Sequence, residues 1–528
     1  MLRVGIDLGT TNTVVSYIDK NGDWEKLSFS NGRPDDRCLL PSMVAICNQL
    51  PIIGQGAVDH SMSFPKECCP NRKREMGQRS NSWLIGSEYL SPEEISEYIL
   101  KEVYNELCRK FPNETFNAFV TVPAGFTNNA RIATKKALIA AGFYVDENCL
   151  ADEPVAAAIA YSSELSDNEY VLVVDIGGGT FDLCLLECNY VGGTDLPDRI
   201  IPIEVGCDSN SGLFLGGDAV DEVILKYMVK EFNKANGCNV PYDIYNSNTA
   251  TDEELKAAVA MKSMILEVKK ALYAGNDEAR CFKQNIMSGK DLDITITREK
   301  YCRLMAEPFD GNKDRTDKDN NKPFSITEGF GFCIDNLFRG IKTEIRHKVN
   351  TVLLVGGMSR EICLNQILNT QFANVIVAPE NLALYLVSRG AAICNSNLRV
   401  KVESIAYTSI GIVLRNGEAV SNIIEEGSRI DGKTTYEHTF KIEDKDATAV
   451  KIMIVEYRGE YNEHDFKNGR YAVILDENVQ LMDKFSKLSG LKSREKVKLI
   501  CKFTVDKILL ITVKNGNKSN LLDVKLGR

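Results

Sequence analysis

Two glycine-rich segments hold the residue types and spacing best suited to chemistry: Gly5-Ile6-Asp7-Leu8-Gly9-Thr10-Thr11-Asn12-Thr13 and Val173-Val174-Asp175-Ile176-Gly177-Gly178-Gly179-Thr180-Phe181-Asp182. Each runs from an apolar lead-in through Asp to Gly and Thr, then back to apolar residues. Glycine lets backbone N–H groups approach phosphate oxygens because no Cβ intervenes. Clustered amides form an anion-binding concavity. The Thr hydroxyls add donors, and an Asp at each strand end can hold a hydrated Mg²⁺. Two such hairpins facing each other would clamp one nucleoside triphosphate from both sides.

The elements that must position these residues are legible nearby. Each apolar lead-in predicts a buried strand, and each Gly-Thr stretch predicts a tight turn into a second strand. Residues 1–60 read as a strand meander. Ser91-Pro92-Glu93-Glu94 predicts a helix start with a capping box and Pro in the first turn, and the helix runs to Lys110. Phe119–Pro123 reads as a strand, Asn128–Ala141 as a helix stopped by Gly142, and Asp152–Tyr161 as an Ala-rich helix. Residues 170–205 return to strands, 218–275 are mainly helical, and 307–324 form a polar loop. Thr351–Gly357 predicts a buried strand entering a glycine turn. Beyond residue 397, short strand-like runs predict a small antiparallel β-domain: Ser409–Leu414, Thr435–Ile442, Val450–Tyr457, Tyr471–Leu475, Val497–Val505 and Ile508–Val513. The two phosphate hairpins in matched settings point to a duplicated domain with the ligand between its halves.

Composition bounds the function. Hydrophobic residues make up 44% and charged residues 26% of the 528, the ordinary balance of a globular protein of several domains. A net charge of −10 argues against general nucleic-acid or membrane-surface binding. The charge is uneven: the segment after residue 400 is slightly basic and the rest strongly acidic, which supports a boundary there. The 16 cysteines are scattered, and no leader with an apolar h-region precedes them. They read as free thiols in a reducing, cytoplasmic compartment. The four histidines (60, 347, 438, 464) lie near no cysteine cluster, so the sequence predicts no zinc site.

The chain resembles the 70-kDa heat-shock (DnaK-type) chaperones of the actin-like ATPase superfamily. The resemblance rests on Gly5–Thr13, Thr121-Val122-Pro123-Ala124, Asp152–Tyr161, Asp175–Asp182, Leu215-Gly216-Gly217-Asp218 and Val355-Gly356-Gly357-Met358-Ser359-Arg360, in the family's order and at its approximate spacing. It implies an α/β fold: a duplicated, ribonuclease H-like ATPase domain of two lobes over 1–397, a linker at 398–404 and a β-sandwich over 405–528 without the helical lid. It implies ATP or ADP with Mg²⁺, and K⁺, as ligands. Asp7, Asp175 and Asp182 match the metal site. Lys73 matches the catalytic lysine and Glu153 an acid that arranges metal and water; Asp175 and Thr180, which would hold metal and phosphate, complete the implied catalytic set. Gly9, Thr10, Thr11, Asn12, Gly177, Gly178 and Gly179 match the phosphate loops. Gly216, Gly217, Glu267, Lys270, Gly356, Gly357 and Arg360 match nucleotide contacts. Phe440, Val450 and Ile452 match the peptide groove. The implied partners are extended peptides, a J-domain co-chaperone and a nucleotide exchange factor.

The sequence departs from the family pattern in places. On the adenosine helix, Glu267 fits with Lys270, or Lys269/Lys270 with Leu272, but not both, because a one-residue shift turns a helix position by about 100°. Tyr273 replaces a small residue beside the purine. The linker alternates charge with Val, so it buries less than the family's apolar run, while Arg131 retains the relay position. Arg415 puts a charge near the groove's arch. The competing readings are a nucleotide-binding regulator or exchange factor without hydrolysis, and a filament-forming or metabolite-kinase relative.

Overall fold

A computed structural model of the chain describes all residues except 20, 79–81, 147, 163–169, 190–198, 209–212, 245–249, 313–321, 397–400, 403, 415–416, 442–448, 468–470, 481–495, 516–517 and 523–528. Half of the expected loop at 307–324 therefore lies outside the described residues, as do most of the expected linker and Arg415.

Two mixed sheets organise the residues up to 402. The first runs, edge to edge, through Leu150–Asp152, Phe116–Val122, Leu2–Leu8, Asn12–Ile18 and Trp24–Lys26. The second runs through Asn374–Val377, Thr351–Val355, Tyr170–Ile176, Phe181–Asn189 and Arg199–Cys207. In both, the first three strands are parallel and the next two pair antiparallel. The same topology thus occurs twice, and each glycine-rich segment turns the central hairpin of its own sheet. The parallel strands read as continuous apolar runs because helices cover both faces: Thr351–Val355 is buried at every position.

Helix Leu386–Asn395 packs on the first sheet and on helix Glu153–Ala160 through glycines. A Cβ on Gly390 would fall 1.8 Å from the Ala156 carbonyl oxygen, and one on Gly5 would fall 2.2 Å from the Ala392 nitrogen. No side chain fits at either position, so backbones meet where larger residues would hold them apart.

Local signals placed several helices well. Helix Pro92–Lys110 has the Ser91–Glu94 capping box, and helix Asn128–Ala141 ends on Gly142 at φ 104°. Helix Gln55–Ser61 lies inside the expected meander and has no side-chain N-cap to announce it. Asp152 closes a strand paired with Val122, so the Ala-rich helix begins at Glu153.

After residue 404, two four-stranded antiparallel sheets share one buried core. One contains Ala419–Ile424, Ser409–Leu414, Ala449–Tyr457 and Ala472–Gln480. The other contains Thr435–Lys441, Lys496–Phe503, Leu509–Asn515 and Lys518–Leu522. Ile410, Ile412, Ile452 and Ile454 of the first meet Leu499, Cys501, Ile511 and Val513 of the second. Between the two parts of the chain, Lys401–Val402 adds a parallel edge strand to Arg199–Ile200. All 16 cysteines are free thiols. Among the described residues, no helix is long and apolar enough to cross a membrane.

Candidate functional site

Asp7 and Asp175 occupy equivalent places on the central strands of the two sheets, each just before its glycine turn. Asp182 pairs across the hairpin with Asp175, which puts two carboxyls side by side. Lys73 and Glu153 come from elsewhere: a short 3-10 turn, Lys73–Glu75, and the first residue of the Ala-rich helix. Lys73 Nζ donates to Glu153 Oε1, and both side chains are buried.

The electrostatics of this cluster are lopsided. Asp7, Asp175, Asp182 and Glu153 surround one lysine. Burial, then Glu153, pushes the Asp7 carboxyl up to about 7 against the pull of Lys73. Burial, Glu153 and Asp182 hold Asp175 well above the ordinary carboxylate range. Asp182 is raised too, by burial, Glu153 and Asp208. Neither Asp182 oxygen makes a well-formed hydrogen bond, although the nearby Thr180 hydroxyl favours the anion. Burial works against the Lys73 charge, but Glu153 and Asp7 outweigh it and hold Lys73 above its usual value. Buried, under-neutralised carboxylates with unused lone pairs fit a hard divalent cation such as Mg²⁺.

This cluster sets a pH dependence. A buried carboxyl whose value is raised keeps its proton where the unfolded chain has lost it. Stability of the metal-free chain therefore falls as pH rises from about 4 through the Asp7 value of about 7. A bound divalent ion competes with those protons. Mg²⁺ affinity of the nucleotide complex should weaken below pH 7, by up to about tenfold per pH unit for each proton displaced. Calorimetric Mg²⁺ titrations at pH 6 and pH 8 check this; equal affinities would contradict the assignment.

The two glycine loops touch. A Cβ on Gly178 would lie 1.8 Å from Thr11 Oγ1, and one on Gly179 would lie 2.5 Å from Thr10 Cγ2. Only glycines permit this approach. At Gly177 a Cβ would meet nothing closer than Thr180 Oγ1 at 3.8 Å, so that glycine retains space. Gly9 O accepts from Asn71 Nδ2 at 3.1 Å, and Asn12 opens the return strand. Gly216 precedes helix Gly217–Asn236 as its N-cap, and Gly217 begins it. The Gly217 and Asp218 amides already donate to Gly177 O and Gly178 O, at 2.9 and 2.6 Å. These bonds tie the helix start to the second glycine loop. Gly356, at φ 85°, is required by contact: a Cβ would fall 2.5 Å from Asp175 Oδ1.

The expected adenosine residues separate. Lys270 is partly exposed and bonds Glu267 at 3.0 Å and Asp35 at 3.4 Å. Lys269 turns inward to Asp221. A cavity of about 430 Å³ is lined by Arg360, Tyr273, Arg298 and Ile362 among others, and neither Glu267 nor Lys270 lines it. Tyr273 anchors its wall by hydrogen bonding with Tyr301 at 2.8 Å, which donates to buried Glu361 at 2.8 Å. Gly357 follows Gly356 in the same turn, its Cβ position 3.2 Å from Leu384.

Arg74 was not anticipated. Its guanidinium donates to Gly179 O, to Asp208 Oδ2 at 3.0 Å and to Leu213 O at 3.1 Å, tying the lysine segment to the second glycine loop. The basic run Arg72-Lys73-Arg74 was its only sequence signal, and such runs are more often solvated faces.

Of the expected groove residues, Ile452 is fully buried in the core between the two C-terminal sheets. A bound segment cannot reach it, because alternation turns it inward. Phe440 and Val450 lie on strands Thr435–Lys441 and Ala449–Tyr457, but their side chains lie outside those described.

The C-terminal sheets meet the rest through buried polar contacts. Asp152 accepts from Arg131 at 2.8 Å, Lys507 at 2.6 Å and Tyr407 at 2.9 Å. Asp506 accepts from Lys135 and from the Cys149 and Leu150 amides. Glu456 accepts from the Asn128 amide at 3.0 Å, at the start of helix Asn128–Ala141. Asp152 therefore adjoins Glu153 of the buried acidic cluster on one side and the C-terminal sheets on the other.

In a comparison with protein-family models, residues 81–319 match the family described as Hsp70 protein.

Proposed function

From the premise that the chain belongs to the Hsp70 family, we propose an ATP-dependent, chaperone-like protein that hydrolyses ATP slowly and couples this to binding extended apolar peptides. The observation that carries the reading is the buried Lys73–Glu153 pair among Asp7, Asp175 and Asp182, beside two touching Gly-Thr loops. Phosphoryl transfer to water asks mainly for positioning and charge stabilisation. When bound, Mg²⁺ neutralises phosphate charge and orders water between the acids. Lys73 is held cationic by Glu153 and Asp7, so its role is to stabilise negative charge; it is too strongly protonated to act as a base. The Gly177–Gly179 amides and the Thr10, Thr11 and Thr180 hydroxyls serve the phosphates, while Gly217, Asp218 and Arg74 hold the second loop.

In this reading residues 1–397 form the nucleotide-binding domain, 398–404 the linker and 405–528 a β-sandwich that takes peptide by strand addition. A J-domain co-chaperone and an exchange factor are its proposed partners, in a cytoplasmic setting. The edge strand Lys401–Val402 and the Asp152 contacts support coupling between the parts. Single-turnover hydrolysis of Mg²⁺-ATP by the full chain, with and without a panel of extended apolar peptides, tests the proposal. Peptide-stimulated turnover is expected. Flat turnover across the panel removes the chaperone reading, and nucleotide binding without any turnover favours a regulator.

A further inference from the structure

The segment leading to Lys73 gathers three metal-ligating side chains that the sequence keeps apart. Strand Met43–Cys47 ends on Cys47, helix Gln55–Ser61 presents His60 in its last turn, and the 3-10 turn Pro65–Glu67 ends on Glu67. The donor atoms of Cys47, His60 and Glu67 all lie within 4.8 Å of one another, and all three residues are partly buried. Among the described residues this is the group of such side chains with metal-ligand proximity.

The fold explains the convergence. Strand Met43–Cys47 pairs with Leu50–Ile53 on one side and Cys68–Pro70 on the other, with Ala45 opposite Cys68. Cys47 therefore lies beside the turn that delivers Glu67. The reversal at Asn48 and Gln49, both with positive φ, ends the strand at Cys47. His60 stacks on Phe64, with ring centroids 4.9 Å apart, and its Nε2 lies 2.7 Å from Glu67 Oε2.

We propose that Cys47, His60 and Glu67 form a Zn²⁺ site with an open fourth position for water. A thiolate, an imidazole and a carboxylate form a donor set suited to zinc; Mg²⁺ and Ca²⁺ prefer all-oxygen sites. A simple His–Glu pair accounts for the 2.7 Å contact but gives no role to the thiol. The Asn48 amide lies 3.7 Å from Cys47 Sγ and directs a donor at it, the kind of outer contact that supports a thiolate. Tetrahedral zinc bonds would set the three donors about 3.4–3.6 Å apart, so the 2.7 Å contact between His60 and Glu67 would open as the ion enters between them. The thiol and any imidazolium proton leave to solvent on binding. Their charges, −1 on sulfur and −1 on carboxylate, balance the ion. The site would clip the hairpin and helix to the strand Cys68–Pro70, which leads directly into Asn71 and Lys73.

The sequence reading missed this because Cys47, His60 and Glu67 match no zinc-ligand spacing; only the pairing of three short elements brings them together.

Co²⁺ titration of the full chain, with excess Mg²⁺ occupying the acidic cluster, tests the site. One equivalent should produce tetrahedral visible bands and a sulfur-to-cobalt charge-transfer band, both abolished by Zn²⁺. Cys47→Ser should remove the sulfur band and weaken binding by more than the roughly 10–100-fold that loss of an outer contact costs. Glu67→Gln should weaken binding while keeping the band. Metal-free melting curves that overlay wild type show that both variants fold. Absence of the band in wild type, or its persistence in Cys47→Ser, overturns the proposal and leaves a hydrogen-bonded pair beside an unrelated thiol. Neither result bears on ATP hydrolysis.

Discussion

Lys73→Ala will lower single-turnover ATP hydrolysis by about 10²–10³-fold while leaving nucleotide bound, the usual loss when one preorganised charge-stabilising group is removed. Two observations support this size. The ammonium is buried against Glu153, so water does not screen its charge. It is also held protonated by Glu153 and Asp7 against the cost of burial, so it is a fixed cation at any working pH. Asn71, beside it in sequence, donates to Gly9 O, and Arg74 donates to Gly179 O, so the segment is pinned to both glycine loops. That pinning holds the segment when Lys73 is removed, although Glu153 then loses its buried counter-ion, which lowers the stability of the metal-free chain by about 3–5 kcal/mol. Calorimetry with Mg²⁺-ADP checks binding, and rapid-quench analysis checks hydrolysis. Equal turnover in wild type and variant would show that Lys73 has no part in chemistry. If both were inert with binding intact, the regulator reading would replace the ATPase.

Asp152→Ala will destabilise the chain by about 3–5 kcal/mol, the cost of leaving buried charges without their counter-ion. Asp152 is the shared acceptor for Arg131, Lys507 and Tyr407, and all four groups are buried. Burial opposes its charge, but Lys507 and Arg131 outweigh burial and hold its carboxyl down at about 2. That stabilisation is complete above the ordinary value of 3.8 and is lost as pH falls toward 2. Lys507 pays for the arrangement: burial, opposed by Asp152 and aided by Arg131, lowers it to about 8. Urea unfolding at pH 7 measures the loss. The double variant Asp152→Ala/Lys507→Met should recover part of it, because one uncompensated cation is gone. A single variant with wild-type stability would show that the pair contributes nothing net.

Much of the scaffold was readable because its signals are local. Thr127 and Gly142 bound a helix through their own cap contacts, and the Ser91–Glu94 box does the same for Pro92–Lys110. The Asp-Gly-Thr hairpins announce themselves because Asp, turn and return strand are consecutive. Lys73 and Glu153 were placed by resemblance to a family, since nothing in either's neighbours tells a buried charge from one in solvent.

Other readings depended on register. On helix Asp252–Tyr273 the sequence gives no direction to either lysine, and packing does: Lys269 turns in to Asp221 and Lys270 out to Asp35. Ile452 suited a groove or a core equally as an apolar strand residue; strand alternation and a second sheet above it made it core.

The sequence alone determined the two Asp-Gly-Thr turns, the acids at their strand ends and the main helix boundaries, because each is specified within a few residues through backbone geometry. Tertiary structure decided which charges meet. Arg74 with Asp208, Asp152 with Lys507, and Cys47 with His60 and Glu67 are joined by strand pairing and burial. Chain contacts across such distances depend on the whole packing, which no local run of residues encodes.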